Sequence, residues 1–384
     1  MTPLFLLAFF LAAAGGLDDS ECQAQINLEA LCAVDPIDLT LADLQAVGTH
    51  NSYKIAIPAP EFAVIATSDP NAAAGLDYSH APIAEQLETG MRQLELDLFF
   101  DPEGGRFADP LLPRTTSGVE GAREFNSSPL QAPGFKVFHI QDIDVWTHCP
   151  QFTTCLEAVE MWSDANPDHV PLLILLNLKT GSIPVPGSTA ALDFTSEAFA
   201  ALDAEIRSVL APDDMITPDD VRAGRATLRE AVLDGGWPSL DEARGKVLFA
   251  LDTGAENVST YLDGAPTLEG RVAFVNSLSE DADHAAYFTM NDPLVQGDRI
   301  REAVTAGFLV RTRADANTIE ARTNDVARRE AAFASGAQYI STDYPEPRLE
   351  WSDYTVGLPG DATARCNPVR RGATCEPLQN EAAQ

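Results

Sequence analysis

The run Arg92-Gln93-Leu94-Glu95-Leu96-Asp97-Leu98-Phe99-Phe100 alternates with a period of two. Side chains change face at every residue of a strand, so Leu94, Leu96 and Leu98 share one surface and Gln93, Glu95, Asp97 and Phe99 the other. Glu95 and Asp97 are thus neighbouring carboxylates on one face, and like charges so close repel unless a cation or proton sits between them. Alone, the run is a strand with a solvated acidic face. The segments around it change that reading.

On the N-terminal side, Leu44 to Asn51 reads as a short buried strand ending in polar residues, followed by a loop to Ser79 and a helix from Pro82 to Met91. On the C-terminal side, residues 101–134 carry no period and read as a long loop. Phe135 to Ile140 reads as a third strand, Thr153 to Ala165 as a helix, and the apolar run Val170 to Lys179 as a strand buried on both faces. Helices follow from Phe194 to Leu210, from Thr217-Pro218 onward, and from the capping-box sequence Ser239-Leu240-Asp241-Glu242. Further strands are Lys246 to Asp252, Ala285 to Met290, Phe308 to Arg313 and Gln338 to Asp343. Helices Gly297 to Ala306 and Asn317 to Ser335 lie among the last three.

Eight strands mostly separated by helices predict a single α/β domain, a (β/α)8 TIM-type barrel. Such a barrel gathers chemistry at the C-terminal ends of its strands. His50, Asn51, Glu95, Asp97, His139, Asn177, Lys179, Asp252, Arg311, Arg313 and Asp343 all fall at or near those ends.

The 384 residues, 45% hydrophobic, suffice for one large core. Leu4 to Ala14 has the length of a signal-peptide apolar segment, and Ala12 to Gly16 supplies small residues for cleavage. No later run is long and apolar enough to predict a transmembrane helix. Six cysteines form three local pairs, Cys22 with Cys32, Cys149 with Cys155 and Cys366 with Cys375, in keeping with an oxidising compartment. The expected division is a signal peptide at 1–16, an N-terminal disulfide segment at 17–39, the barrel at 40–350 and a disulfide-bearing tail at 351–384. A net charge of −33 argues against nucleic-acid partners and against attraction to anionic lipid. We expect a secreted monomer.

The strand-end residues suggest their own chemistry. Glu95, Asp97 and the amide oxygen of Asn51 suit a hard divalent cation. His50 and His139 suit proton transfer near neutral pH, and Lys179, Arg311 and Arg313 suit an anion. Together they suggest phosphodiester cleavage, in which positioning and charge stabilisation supply most of the catalysis.

At these residues the chain resembles the calcium-dependent phosphatidylinositol-specific phospholipases C. The resemblance is carried by Gly48-Thr49-His50-Asn51-Ser52-Tyr53, Glu95-x-Asp97 and the His139 strand. Leu76 to His80, His139 to Asp144, Val310 to Asp315 and Ser341 to Tyr344 look like the secreted bacterial branch of these PLC-like phosphodiesterases. The likeness runs from about Leu44 to Tyr344. It implies one Ca2+, rather than Mg2+, bound by Asn51, Glu95, Asp97 and Asn177, and a phospholipid head group at a membrane surface as substrate. It implies that His50 stabilises charge on the phosphorane, that Glu95 or a neighbour deprotonates the inositol 2-hydroxyl, and that His139 protonates the departing diacylglycerol. Lys179, Arg311 and Arg313 would hold the phosphate. Asn177 stands where eukaryotic members place a glutamate, which removes a charge and leaves Asp142 as an alternative ligand. A glycerophosphodiester phosphodiesterase is the second enzyme reading, although His50-Asn51-Ser52 replaces the usual His-Arg-Gly. A non-catalytic inositol-phosphate- or lipid-binding barrel is the third.

Overall fold

The computed structural model describes residues 39–371, so the expected export segment, the Cys22–Cys32 pair and Cys375 lie outside the described residues. Ten strands form one sheet: β1 (Leu44–Thr49), β2 (Gln93–Phe99), β3 (Lys136–Val137), β4 (Leu172–Leu178), β5 (Val247–Asp252), β6 (Ala273–Val275), β7 (Tyr287–Thr289), β8 (Leu309–Arg313), β9 (Tyr339–Thr342) and β10 (Ala364–Cys366). Eight of them run parallel in the order β6-β5-β4-β2-β1-β9-β8-β7, and the parallel bridge Asn276–Tyr287 brings the two ends of that order together. The result is a nearly closed (β/α)8 barrel in a single domain, as the alternation of strands and helices predicts.

Two short strands stand outside the ring. β10 pairs antiparallel with the start of β1 (Leu44 opposite Cys366), and β3 pairs antiparallel with the end of β2 (Leu98 opposite Val137). The expected third barrel strand, Phe135 to Ile140, is therefore corrected to the two-residue β3. β4 stands next to β2 in the ring, and the eighth strand is β6, between β5 and β7, which the sequence reading missed. The aromatic content that made Phe135–Ile140 look like a barrel strand serves another purpose. Phe138 stacks on Phe99 at 4.1 Å between ring centroids and meets Phe107 edge-on, forming a small apolar cluster above the barrel.

In the central strand, Leu94, Leu96 and Leu98 are fully buried in the main core shared with β4, β5 and the surrounding helices. Glu95 and Asp97 point the other way, into the barrel, and are also buried. The register Asp97–Asn177–Asp252 across β2, β4 and β5 puts three polar side chains in one inward layer at the mouth.

Local chemistry sets the helix limits. Asp292 accepts from the amide of Leu294 and Pro293 occupies the first turn, so this helix begins at Pro293 rather than at Gly297. Asn324 adopts φ 51, which splits the expected helix 317–335 into Ile319–Thr323 and Ala327–Ser335. Two stretches read as loops hold helices, Ala59–Ser68 and Pro70–Leu76 in one and Leu111–Thr116 in the other.

Candidate active site

The site begins where β1 leaves the barrel. Asn51 takes a left-handed φ of 50, turning the chain after His50. Ser52 then ties this turn to β2: its amide donates to the Glu95 carbonyl at 3.0 Å, and its hydroxyl accepts from the Glu95 amide at 2.8 Å. Below the turn, Gly48 lies against Gln93 so closely that an added Cβ would stand 2.2 Å from the Gln93 carbonyl oxygen. The Gly48-Thr49-His50-Asn51-Ser52 sequence thus fixes His50 and Asn51 beside Glu95.

His50 is held by a carboxylate. Its Nδ1 lies 2.8 Å from Asp343 Oδ1, and its Nε2 lies 3.3 Å from Arg313 Nη1 and 3.8 Å from Glu95 Oε1. Nδ1–H donating to Asp343 leaves the Nε2 lone pair facing Arg313 and the mouth. Burial first, then the positive Arg313, hold the imidazole well below its ordinary pKa, against the opposing pull of Glu95. His50 is therefore neutral at pH 7. Burial raises the pKa of both Asp315 and Asp343, which share a patch. Asp343 has His50 and Arg313 as partners, while the Asp315 side chain accepts from the Thr342 hydroxyl and the Asp343 amide.

His139 is held in the same way. It stands on the turn after β3, not on a barrel strand, and its Nδ1 lies 2.9 Å from Asp144 Oδ2. The fully buried Lys54 contacts the same oxygen at 2.6 Å. Burial would raise the Asp144 carboxyl, but Lys54 and then His139 outweigh it and the pKa falls. The Tyr78 ring links the two histidines: it lies 5.9 Å from the His50 ring and 5.1 Å from the Lys54 ammonium, which in turn holds Asp144 and so His139.

The acids face cations. Glu95 Oε2 contacts Arg311 Nη2, whose other guanidinium nitrogens reach Ser341 and Asn291. Lys179 Nζ forms an ion pair with the fully buried Asp97, 2.8 Å from its Oδ2. The side-chain oxygen of buried Asn51 lacks a hydrogen-bond partner, its amide nitrogen having gone to Tyr78 Oη at 2.7 Å. Asp252 borders the same layer, and burial, followed by the charges of Glu95 and Asp97, pushes its pKa up to about 6. Asn177 and Asp252 open onto a cleft of about 680 Å³ that also includes Thr253, Glu256 and Asn257.

These oxygens fit a hard divalent ion by donor type: Asn51 presents a buried amide oxygen without a hydrogen-bond partner, and the carboxylates of Asp97 and Glu95 share the same inward face. Among the described residues no three acids or histidines are drawn to metal-holding spacing. Arg311 and Lys179 instead neutralise Glu95 and Asp97.

All the residues singled out in the sequence lie at this mouth, but two arrangements differ from expectation. Arg311 and Arg313 brace acids and His50 rather than standing free for an anion. Asp142, the alternative metal ligand, instead accepts from the amides of Leu111 and Thr189 and pins two loops. The sequence reading missed the partners. Asp343 had been placed at a strand end without a role, and Asp144 lay inside the motif quoted around His139. Tyr78 likewise lay inside the quoted Leu76–His80 motif, and only Lys54 gave no signal that a side chain alone could carry. His80 is structural, its Nε2 donating to the His50 carbonyl at 2.8 Å.

Comparison with known proteins agrees with this fold. A family model described as Ca2+-dependent phosphoinositide phospholipase C matches residues 39–368. A solved calcium-dependent phosphoinositol-specific phospholipase C from the Gram-negative bacterium Pseudomonas superposes with a TM-score of 0.54 at 16% identity, over 87% of this chain and 98% of that one. The same Pseudomonas enzyme solved as a myoinositol complex gives the same TM-score, identity and coverage. At this identity the likeness establishes the fold. No curated protein matches the chain.

Proposed function

The chain belongs to the Ca2+-dependent phosphoinositide phospholipase C family, and we propose that it is a secreted enzyme cleaving phosphatidylinositol-type phosphodiesters to diacylglycerol and a cyclic inositol phosphate. One observation carries the reading: two histidines, each held at Nδ1 by a buried aspartate, are joined through Tyr78, Lys54 and Asp144 beside the oxygens of Asn51, Glu95 and Asp97. The myoinositol complex of the Pseudomonas enzyme supports an inositol ring as the group bound. The Cys149–Cys155 disulfide, with an S–S length of 2.07 Å, supports an oxidising compartment.

Asn51, Glu95 and Asp97 would hold one Ca2+, with Asn177 beside them. When bound, that ion supplies positive charge against the phosphoryl oxygens. The geometry favours His50 over Glu95 as the base. The neutral imidazole's Nε2 faces Arg313 Nη1 at 3.3 Å, a long contact that an arriving phosphate oxygen would draw away, whereas Glu95 is held by the fully buried Arg311. Nε2 of His50 takes the proton from the inositol 2-hydroxyl, and Asp343 stabilises the imidazolium that forms. The hydroxyl oxygen bonds to phosphorus as the bond from phosphorus to the diacylglycerol oxygen breaks. His139, oriented by Asp144, donates its proton to that leaving oxygen. Arg313 and Lys179 border the phosphate, and one chain supplies every group named.

Phosphorus NMR of the products from phosphatidylinositol vesicles tests the reading. A five-membered cyclic phosphate signal that disappears with a calcium chelator is expected. Free glycerol phosphate would point to a glycerophosphodiesterase, and unchanged lipid at every calcium concentration to a binding protein.

A further inference from the structure

The cations of the mouth are not equivalent. Arg311 is fully buried and held by Ser341, Asn291 and Glu95 together. Lys54 is buried against Asp144. Lys179 differs from both. Its backbone amide is fixed to the Leu98 carbonyl at 2.9 Å, but its side chain is 25% exposed. Its ammonium reaches Asp97 at a single oxygen, Oδ2, 2.8 Å away. A lysine on a flexible four-carbon stem with one face to water can leave such a contact, and a three-point guanidinium cannot.

Resting on the calcium reading above, we propose that Lys179 is a displaceable internal cation that competes with Ca2+ for Asp97 and couples metal uptake to binding of the anionic head group. Asp97 is fully buried, and a buried carboxylate without a counter-charge is unfavourable. Lys179 supplies that charge. A divalent ion held by Asp97 and Glu95 makes the lysine redundant and repels it. Once released, the ammonium remains tethered at the end of β4, beside Asn177 and the cleft, where a phosphodiester supplies a new negative partner. An anion that draws Lys179 away from Asp97 therefore strengthens metal binding, and by linkage the metal strengthens anion binding by the same factor.

The test is calorimetric titration of Ca2+ into the full chain, with and without inositol 1-phosphate, for the natural protein, Lys179→Met and Lys179→Arg. Lys179→Met should bind Ca2+ about 10-fold more tightly than the natural protein, and inositol 1-phosphate should no longer enhance that affinity. Lys179→Arg should return the affinity toward the natural value. Equal or weaker Ca2+ binding by Lys179→Met, or undiminished enhancement by the anion, overturns the proposal while leaving the calcium reading intact. Absence of Ca2+ uptake by all three proteins overturns both.

Discussion

Each histidine of the mouth depends on a carboxylate that fixes its tautomer. Asp343→Asn removes the negative charge that stabilises the His50 imidazolium and can turn an amide N–H toward Nδ1, favouring the wrong tautomer, so kcat should fall by roughly 10²–10⁴-fold with little change in KM. Asp144→Asn should act on His139 to a similar extent, and steady-state kinetics on phosphatidylinositol vesicles measures both. Asp252 offers a pH test. Its folded pKa of about 6 lies above the ordinary carboxylate value, so the protonated group favours the fold. That contribution is fully present below about pH 4 and is lost as pH rises through 6. In chelator, Asp252→Asn should stabilise by roughly 1–2 kcal/mol at pH 7.5 and hardly at all at pH 4, as read from denaturant midpoints. The histidines were legible because their neighbours form local motifs. Asp343 was not legible as a partner, because 293 positions separate it from His50 and only closure of the barrel joins them.

At the scale of elements, the β1–β2 seam governs the site. The two strands share a single register pair, Gly48 with Gln93, while β10 and β3 cover the remaining edges of each. Gly48→Ala would drive a methyl group into the Gln93 carbonyl and push apart the strands that carry His50 and Glu95. A loss of several kcal/mol, or failure to fold, is expected in thermal unfolding, because the obstacle is backbone that cannot rotate away. Long, strongly patterned strands such as Leu172–Leu178 were visible in the sequence for a physical reason: burial on both faces demands an unbroken apolar run. The three residues of β6 are too few to show a period, and the eighth strand was sought instead in the aromatic stretch that packs on Phe99.

At the scale of the whole molecule, charge and rim chemistry pull in opposite directions. Leu278, Leu294, Val295, Ile319 and Leu349 are exposed, Val295 at 80% and Leu349 at 76%, and each lies on a segment that follows a barrel strand toward the mouth. The net charge of −33 opposes contact with an anionic bilayer. Raising salt from about 10 mM to about 150 mM shortens the screening length from ~30 Å to ~8 Å and should increase binding to phosphatidylinositol vesicles. Val295→Asp with Leu349→Asp should reduce it severalfold in vesicle sedimentation. The barrel class followed from the alternation of elements, but this rim did not, since isolated apolar residues carry no pattern until the ring arranges them. The pairing of β10 with the first residues of β1 has a practical consequence. Leu44 and Cys366 meet at the floor of the barrel, so residues 39 and 371 leave the fold near the pole opposite the chemistry. A tether or reporter attached to the chain at residue 39 or residue 371 would hang beneath the enzyme, leaving its working face turned outward from any solid support.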